Sequence, residues 1–372
     1  MLALIRALLA PLFSLILMNL GCGLFNTYVS VRLDIQGYSA DAIGVVCSAL
    51  YVGVLIGSLY LSRWISRVGH TRAFVVFALI SASLMLGHAF WIDAWYWSVL
   101  RAGQGVCLAG IFIVVESWCL LQSAPELRGR ALSIYLAAFY LALSAGQFFI
   151  GLTPLVSIVP FCLTAFLVGS SVLPMKMAFA HPPPIQEERR IGLIEMFHLS
   201  PIGFWGGIVS GSVLGAVYGL TPVYAVTQGL SVFEIGTTMA VLIFGGLSFQ
   251  WWMGYLADKT GRRRVLRIAC WGAAAFALLI GGFGGFSWIL LLILIWFFGG
   301  FSFTIYPLSM AYLCENMESD KIVAVTGGFV LCYALGAIAG PLLAPLAMDL
   351  LGPAGLFYFL ALITGLLGVF TK

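Results

Sequence analysis

Charged residues are scarce in this chain. Only 9% of its 372 residues are Asp, Glu, Lys or Arg, whereas 62% are hydrophobic, and the mean hydropathy is +1.07. A soluble domain has about 25% charged and about 45–50% apolar residues. So much apolar surface could not be hidden from water, which excludes a soluble globular protein. We expect lipid around the chain and no nucleic-acid partner.

Groups that build catalytic and metal centres are also few. The four histidines are scattered, and no paired His or Cys spacing of a metal site occurs. The eight cysteines fall mostly inside apolar runs, where burial as small hydrophobic side chains is expected. No Walker loop or dinucleotide fingerprint is present. We therefore expect no enzyme, no metal, no cofactor and no ATP-driven pump.

Apolar runs of about 20 residues recur along the whole chain. Each is long enough to cross a hydrocarbon core of about 30 Å as a helix, and uninterrupted runs exclude the alternating pattern of a barrel. The fold class is therefore an all-α polytopic membrane protein. Twelve spans are predicted, at residues 6–31, 42–64, 72–92, 95–121, 131–151, 157–179, 201–225, 232–257, 265–284, 286–313, 323–346 and 353–371.

The positions of the cations orient these spans. Apart from Arg32 and Arg101, the arginines and lysines lie on or at the edge of one side of the span map, the side of both termini. By the positive-inside rule that side is cytoplasmic. The longest polar stretch divides the chain into an N-terminal six-helix bundle at 1–180, a cytoplasmic linker at 181–200 and a C-terminal six-helix bundle at 201–372. We expect a monomer in a bacterial inner membrane.

The two halves carry an internal repeat. The sequence GLFNTYVSVRLDIQGYSADAIG at 23–44 aligns with GAVYGLTPVYAVTQGLSVFEIG at 215–236, at a shift of 192 residues, and QG-x-S-x-x-x-IG recurs in register. With the same shift, SRWISRVGHTR at 62–72 aligns with GYLADKTGRRR at 254–264. A duplicated six-helix unit joined by a basic loop is typical of transporters and predicts two pseudo-symmetric bundles.

Several of these segments resemble a known family. GYLADKTGRRR resembles the G-x-L-a-D-r-x-G-r-r loop signature of the major facilitator superfamily, and LRAGQG at 100–105 resembles its fourth-helix motif. VVES, YGL-x-P-x-Y, LADK-x-GR and T-x-YP-x-x-MA are similar to the bacterial YcaD-type subgroup. The resemblance implies the superfamily fold and alternating access. The first-half loop departs from the signature, with Ser62 and Ser66 in place of Gly and Asp.

The resemblance also implies a charge network between the halves on the cytoplasmic side. In that arrangement Asp258 would face the cations before span 5, while Arg67 and Arg72 would face acids before span 11. These pairs would close a cytoplasmic gate and separate when it opens. A solvated turn that only sets topology is the alternative, because exposed ion pairs contribute about 0–1 kcal/mol each. The complete predicted gate set is Asp258, Arg262, Arg264, Arg128, Arg130, Arg67, Arg72, Glu318 and Asp320.

Two ionisable residues lie inside predicted span 4. Arg101 and Glu116 are fifteen residues apart, about 22 Å of helical rise and about 60° of rotation, so both can face one cavity without pairing. Ionisable groups inside a membrane are functional candidates. Glu116 is predicted to carry a coupling proton, with a structural carboxylate as the alternative. Arg101 is expected to position helices or an anionic group, because guanidinium stays charged.

Polar side chains of other spans complete the candidate pocket. The resemblance implies that spans 1, 4, 7 and 10 line the cavity, with spans 2, 5, 8 and 11 beside them. Ordinary hydrogen bonding between helices is the alternative role for each residue. The predicted pocket set is Asn26, Arg101, Gln104, Gln147, Tyr218, Tyr224, Gln250 and Tyr306.

The predicted function is secondary active transport of a small organic solute by alternating access, coupled to protons. An aromatic, sparsely charged cavity favours export of an amphipathic compound. Proton-coupled nutrient uptake remains the alternative, because SAGQFFIG lacks the full antiporter signature of span 5. A membrane enzyme would need convergent catalytic groups, and a receptor would be expected to have a sizeable soluble domain; the sequence shows neither feature.

Overall fold

The computed structural model describes residues 2–122, 128–176, 192–315 and 322–371, and the regular structure in these ranges is helical. A 3-10 turn, Phe148–Leu152, follows the fifth helix. The helices are α1 (Leu2–Ile35), α2 (Ala40–Val68), α3 (His70–Gly87), α4 (Ala94–Leu121), α5 (Arg128–Gln147), α6 (Val159–Ser170), α7 (Val172–Lys176), α8 (Leu193–Leu199), α9 (Pro201–Thr227), α10 (Val232–Thr260), α11 (Arg262–Phe283), α12 (Trp288–Cys314), α13 (Ile322–Leu351) and α14 (Gly355–Phe370).

Eleven candidate membrane spans are found in the described ranges, with α6 and α7 together forming one of them. The twelfth predicted span is the shorter apolar helix α14, which has 16 residues. Its rise of about 24 Å falls short of a hydrocarbon core of about 30 Å. The spans form the two six-helix bundles that the sequence predicts, a first bundle of α1–α7 and a second of α9–α14.

The segment predicted as a linker contains a helix. Residues 181–191 lie outside the described ranges, but α8 follows them and packs on α9 and α13. Met196 of α8 is buried in a cluster with Leu313, Phe329 and Cys332. Removal of the apolar Met196 side chain from water is energetically favourable and holds α8 against these residues. The end of the predicted linker therefore docks on the second bundle.

The internal repeat determines matching turns in the two bundles. Gly69 links α2 to α3 with φ +90°, and Gly261 links α10 to α11 with φ +95°. Such backbone conformations favour glycine, which has no Cβ to clash. Ser39 and Ser231, again 192 residues apart, cap α2 and α10 by accepting a hydrogen bond from a backbone N–H of the first turn.

The turns define two faces of the molecule. The terminal face carries the turns at Gly69 and Gly261, and Thr371, whose carbonyl oxygen accepts from Arg263 and Arg267. The distal face carries the connections at 36–39, 88–93 and 228–231. Helices of one bundle meet helices of the other at two seams, one between α2 and α13 and one between α5 and α10, and α9 also contacts α1 and α2.

Candidate functional site: a cleft between the bundles

Both seams are closed near the distal face. At the first, Gly44 packs on the backbone of Pro341, and Ser48 Oγ donates a hydrogen bond to the carbonyl oxygen of Ile338 at 2.8 Å. These contacts join α2 to α13 without an intervening side chain. Backbone approach this close leaves no path for a solute at that height.

The second seam is built in the same way. Gly236 packs on the backbone of Gln147, and Ser144 Oγ donates to the carbonyl oxygen of Ala240 at 2.9 Å. Gly236 and Ala240 lie 192 residues after Gly44 and Ser48, so the two seams use equivalent positions of the repeat. At the first seam the donor is Ser48 of α2. At the second seam the equivalent position, Ala240 of α10, has no hydroxyl, and Ser144 of α5 is the donor instead.

Toward the terminal face the second seam separates. A cavity of about 500 Å³ lies between α5 and α10 and is lined by Ser133, Leu136, Gln250, Trp251 and Asp258 among others. A neighbouring cavity of about 210 Å³ lies between α10 and α12 and shares Gln250 and Asp258. The cleft is therefore closed at the distal face and open between α5 and α10 on the terminal side.

Six tyrosines surround the middle of this cleft. Tyr333 lies within electrostatic range of Tyr51, Tyr140 and Tyr306, and its ring centroid is 5.1 Å from that of Tyr306. All but one of the six side chains are only partly buried. Rings with a hydroxyl at the edge offer both apolar contact and hydrogen bonds to a solute. The six are Tyr51, Tyr135, Tyr140, Tyr218, Tyr306 and Tyr333.

Phe303 connects tyrosines of the two bundles. Its ring centroid lies 6.2 Å from that of Tyr140 in the first bundle and 5.8 Å from that of Tyr218 in the second. Phe303 itself is buried, so it forms part of the cleft wall. An aromatic surface therefore continues across the boundary between the bundles.

A buried guanidinium lies at the distal end of the cleft. Arg101 of α4 is 4% exposed. Its Nη2 donates to Asn26 Oδ1 at 3.0 Å, and its Nη1 donates to Gln104 Oε1 at 3.5 Å. The Phe25 ring centroid is 5.7 Å from the guanidinium carbon. Arg101 thus lines a narrow pocket to which Tyr218 of the second bundle also contributes.

Glu116 lies on the same helix, about 22 Å closer to the terminal face. Its side chain is exposed, and Tyr135 of α5 and Tyr306 of α12 lie within electrostatic range of it. Helices of both bundles thus supply the neighbours of this carboxylate. It is directed toward the cleft and is accessible there.

Comparisons with known proteins agree with this architecture. The family model described as Major Facilitator Superfamily matches residues 3–327 and 249–371. The chain belongs to the major facilitator superfamily. An uncharacterized MFS-type transporter of Yersinia enterocolitica is 32% identical over 96% of this chain and 92% of its own length. The MFS-type transporter YcaD of Escherichia fergusonii is 32% identical over 90% of this chain and 87% of its own length.

Solved structures share the fold of this superfamily member. The nucleoside transporter NupG matches with a TM-score of 0.82 at 14% identity, and the match covers 98% of both chains. The human organic anion transporter MFSD10 matches with a TM-score of 0.70 at 15% identity, covering 100% of this chain and 99% of that one. As a member of the superfamily, the chain is a multi-pass membrane transporter and not an enzyme.

In this transporter the predicted pocket residues fall into three places. Asn26, Arg101 and Gln104 form the distal cluster, and Tyr218 lines the same narrow pocket as Asn26 and Arg101. Tyr306 lies closer to the terminal face, within electrostatic range of Glu116. Gln250 lies between the two open cavities. These residues therefore lie at different heights along the boundary between the two bundles.

Two predicted pocket residues lie elsewhere. Tyr224 is 2% exposed and packs on Phe357 within the second bundle, with ring centroids 4.9 Å apart. Gln147 accepts a hydrogen bond from Thr27 at 2.5 Å inside the first bundle. Tyr224 lies six residues beyond Tyr218, which places the two side chains about 120° apart around α9 and on different faces of the helix.

The structure adds Tyr51, Tyr135, Tyr140 and Tyr333 to the cleft. Tyr51 follows Gly44 and Ser48 on one face of α2, at helical spacings of four and three residues. On α5, Tyr140 precedes Ser144 and Gln147 at the same spacings. A stripe of small or polar residues with a tyrosine at one end, present on both α2 and α5, was therefore the signal available in the sequence for Tyr51 and Tyr140.

Most of the predicted gate residues are described. Asp258 is exposed beside the open cavities, and in the described ranges no cation forms an ion pair with it. Arg262 instead donates to the carbonyl oxygen of Ala311 at 2.7 Å. The side chains of Arg67, Arg72, Arg130 and Arg264 are exposed. The side chain of Arg128, and all of Glu318 and Asp320, lie outside the described part of the chain.

Proposed function

We propose that this protein is a proton-coupled secondary transporter that exports a small organic solute by alternating access. The observation that carries the proposal is the asymmetry of the cleft. Its two seams are closed by backbone contacts near the distal face, while cavities of about 500 and 210 Å³ open beside α10 on the terminal side. A cleft that is closed at one end and open at the other is what one half of a transport cycle requires.

The cation distribution supports an orientation with the terminal face in the cytoplasm of a bacterial cell. Exposed arginines at the terminal ends of α2, α3 and α11 favour this side by the positive-inside rule. The conformation is then open to the cytoplasm. Among the described side chains no cation pairs with Asp258. This fits an open cytoplasmic gate, whose ion pairs would form in the opposite conformation.

Glu116 is the group best situated to carry the coupled proton. It is a carboxylate inside the membrane, exposed to the cleft and flanked by tyrosines of both bundles. When the cleft closes on the cytoplasmic side, water around this carboxylate is displaced, and the protonated form becomes the favoured one. Proton binding would therefore be linked to the conformational change.

Export is proposed because the cleft presents aromatic rings and few charges, which suits an amphipathic compound that enters from the cytoplasm. Uptake together with protons is the second candidate. The two differ in the direction of the proton flux that accompanies the solute, and this difference can be measured.

The proposal is tested with purified protein in liposomes that contain the pH-sensitive dye pyranine. A panel of small aromatic amines, carboxylates and neutral compounds is added outside. Exchange of solute for protons makes the lumen more alkaline, whereas symport makes it more acidic. The Glu116→Gln variant should still exchange labelled solute for unlabelled solute, but without proton movement.

Glu234→Gln is the matched control, because this partly exposed residue caps α10 at the distal face and glutamine can keep the capping box. Proton movement that survives in Glu116→Gln would remove Glu116 from the mechanism. Acidification in place of alkalinisation would establish uptake. Absence of exchange for every compound of the panel would count against a transporter of small organic solutes.

A further inference from the structure

Among the described residues, no carboxylate pairs with the charge of Arg101. Its hydrogen-bond acceptors are the neutral amide oxygens of Asn26 and Gln104, and its buried Nε has no partner in the described ranges. The titratable groups within electrostatic range are Cys22, Cys47, Tyr51 and His88. None is a carboxylate, and thiols and phenols are ordinarily neutral near pH 7.

A buried charge without a partner is strongly unfavourable. A charged residue kept inside a membrane span is for that reason a candidate for a functional site. The two amides hold the guanidinium in place through Nη1 and Nη2 but do not neutralise it. The edge that contains Nε keeps an unused donor. A carboxylate binds such an edge with two parallel hydrogen bonds, one to Nε and one to a terminal nitrogen.

The pocket beside Arg101 belongs to both bundles. Asn26, Tyr51 and Arg101 line it from the first bundle, and Gly215 and Tyr218 line it from the second. Its volume is about 10 Å³ in this conformation, which is room for about one water molecule. Because one wall moves with the second bundle, separation of the distal seams would enlarge the pocket directly in front of the guanidinium.

We propose that Arg101 is the binding site for an oxyanion of the transported solute, so that the substrate is a small organic anion with an apolar or aromatic body. The proposal rests on the proposed transport function and specifies its substrate class. The anion neutralises Arg101, and the tyrosine rings of the cleft contact the rest of the molecule. The solute reaches Arg101 when the distal seams open.

The first test measures thermal stability of the purified protein with a panel of aromatic and aliphatic monocarboxylates, each paired with its neutral carboxamide, and with chloride and phosphate. We expect one or more carboxylates to raise the unfolding temperature while their carboxamides do not. Arg101→Gln should weaken that binding roughly 10- to 100-fold, since a charge-assisted hydrogen bond is lost. Arg101→Lys should retain part of it.

Arg32→Gln is the matched control. Arg32 is also buried and has two nitrogens without partners, but it does not line the pocket beside Arg101. Its variant should bind the carboxylate as the wild type does. Equal loss of binding in both variants would indicate a general effect on folding and would overturn the assignment to Arg101.

Asn26→Asp provides a second variant whose outcome does not depend on removing the arginine. The new carboxylate would stand 3.0 Å from Arg101 Nη2, where Asn26 Oδ1 now lies, and would supply an internal counter-ion. We expect an unchanged or higher unfolding temperature and loss of carboxylate binding. Carboxylate binding that persists in this variant would overturn the proposal, because an already neutralised Arg101 could not hold it.

The remaining outcomes separate this proposal from transport itself. The anion site would be overturned if the carboxamides stabilise the protein as strongly as the carboxylates do. It would also be overturned if only chloride or phosphate stabilises the protein, or if no carboxylate does. If a neutral solute exchanges across liposomes and Arg101→Gln leaves that exchange unchanged, the transporter proposal stands and the anion proposal falls. If no solute of either charge exchanges, the transport proposal fails.

Discussion

Gly44 and Gly236 occupy equivalent positions in the two bundles, and each lies directly against the backbone of a helix from the other bundle. A Cβ added at Gly44 would overlap the carbonyl oxygen of Pro341, and one added at Gly236 would overlap that of Gln147. Both contacts lie at the distal seams. The closed distal end therefore depends on the absence of two side chains, at positions that the repeat relates.

Substitution of either glycine by alanine should favour the conformation in which the distal seams are open. Backbone atoms must move to accept the new methyl group, at a cost of about 1–3 kcal/mol to the closed state. Hydrogen exchange measured by mass spectrometry should become faster in residues 40–50 and 336–345 for Gly44→Ala. Gly282→Ala on α11 is the control, because no atom lies within 4 Å of the added Cβ. Exchange as slow as in the wild type would contradict the role of Gly44.

The hydroxyls of Ser48 and Ser144 should act on the same equilibrium. Each donates one hydrogen bond across a seam, worth about 0.5–1.5 kcal/mol, so the double alanine variant should shift the balance by about the sum of the single variants. Exchange rates of α2 and α5 peptides measure the shift. Ser83→Ala is the control, since Ser83 Oγ bonds only Leu79 of its own helix. Equal rates in the double variant and this control would show that the seam bonds are without effect.

Asp258→Asn should make the conformation that is closed at the terminal face less stable, by about 0–1 kcal/mol, the usual contribution of an exposed ion pair. Solute counterflow should slow at low ionic strength. Added salt should reduce the difference, since screening weakens the pair in the wild type. Asp41→Asn, an exposed acid of the distal face, should have no such effect. A difference that is unaffected by salt would argue against an electrostatic gate.

The two turn glycines should each be required for stability. Gly69 and Gly261 have φ of +90° and +95°, and alanine in that region costs about 1–3 kcal/mol. Both alanine variants should lower the unfolding temperature by similar amounts. Gly254→Ala should not, because this helical glycine faces open space and alanine is the better helix former. A stable Gly261→Ala variant would contradict the strain argument.

Much of the fold could be predicted because lipid imposes a simple rule on the chain. An apolar run of about 20 residues must be helical, since no water is present to satisfy its backbone groups. The 192-residue shift then related Gly44 to Gly236 and Ser39 to Ser231 before any contact was known. The short helix α8 was missed because the segment as a whole is polar and contains Pro182, Pro183 and Pro184.

The candidate site was predicted less completely, and the errors have one physical cause. In a soluble helix the polar side faces water, but in a membrane both the lipid side and the packed side are apolar. Tyr224 and Tyr218 therefore look alike in the sequence, although one is packed inside its bundle and the other lines the cleft. Tyr51 and Tyr333 were missed for the same reason.

The sequence by itself determined the lipid environment, the helical spans, the repeat and the presence of charge inside span 4. Only the tertiary structure decided that neutral amides, with no carboxylate, hold Arg101, that tyrosines of both bundles flank Glu116, and that the distal seams are closed. Those features depend on which helix faces meet across the bundles. Side chains distant in the chain become neighbours only through packing, and no local pattern encodes that packing.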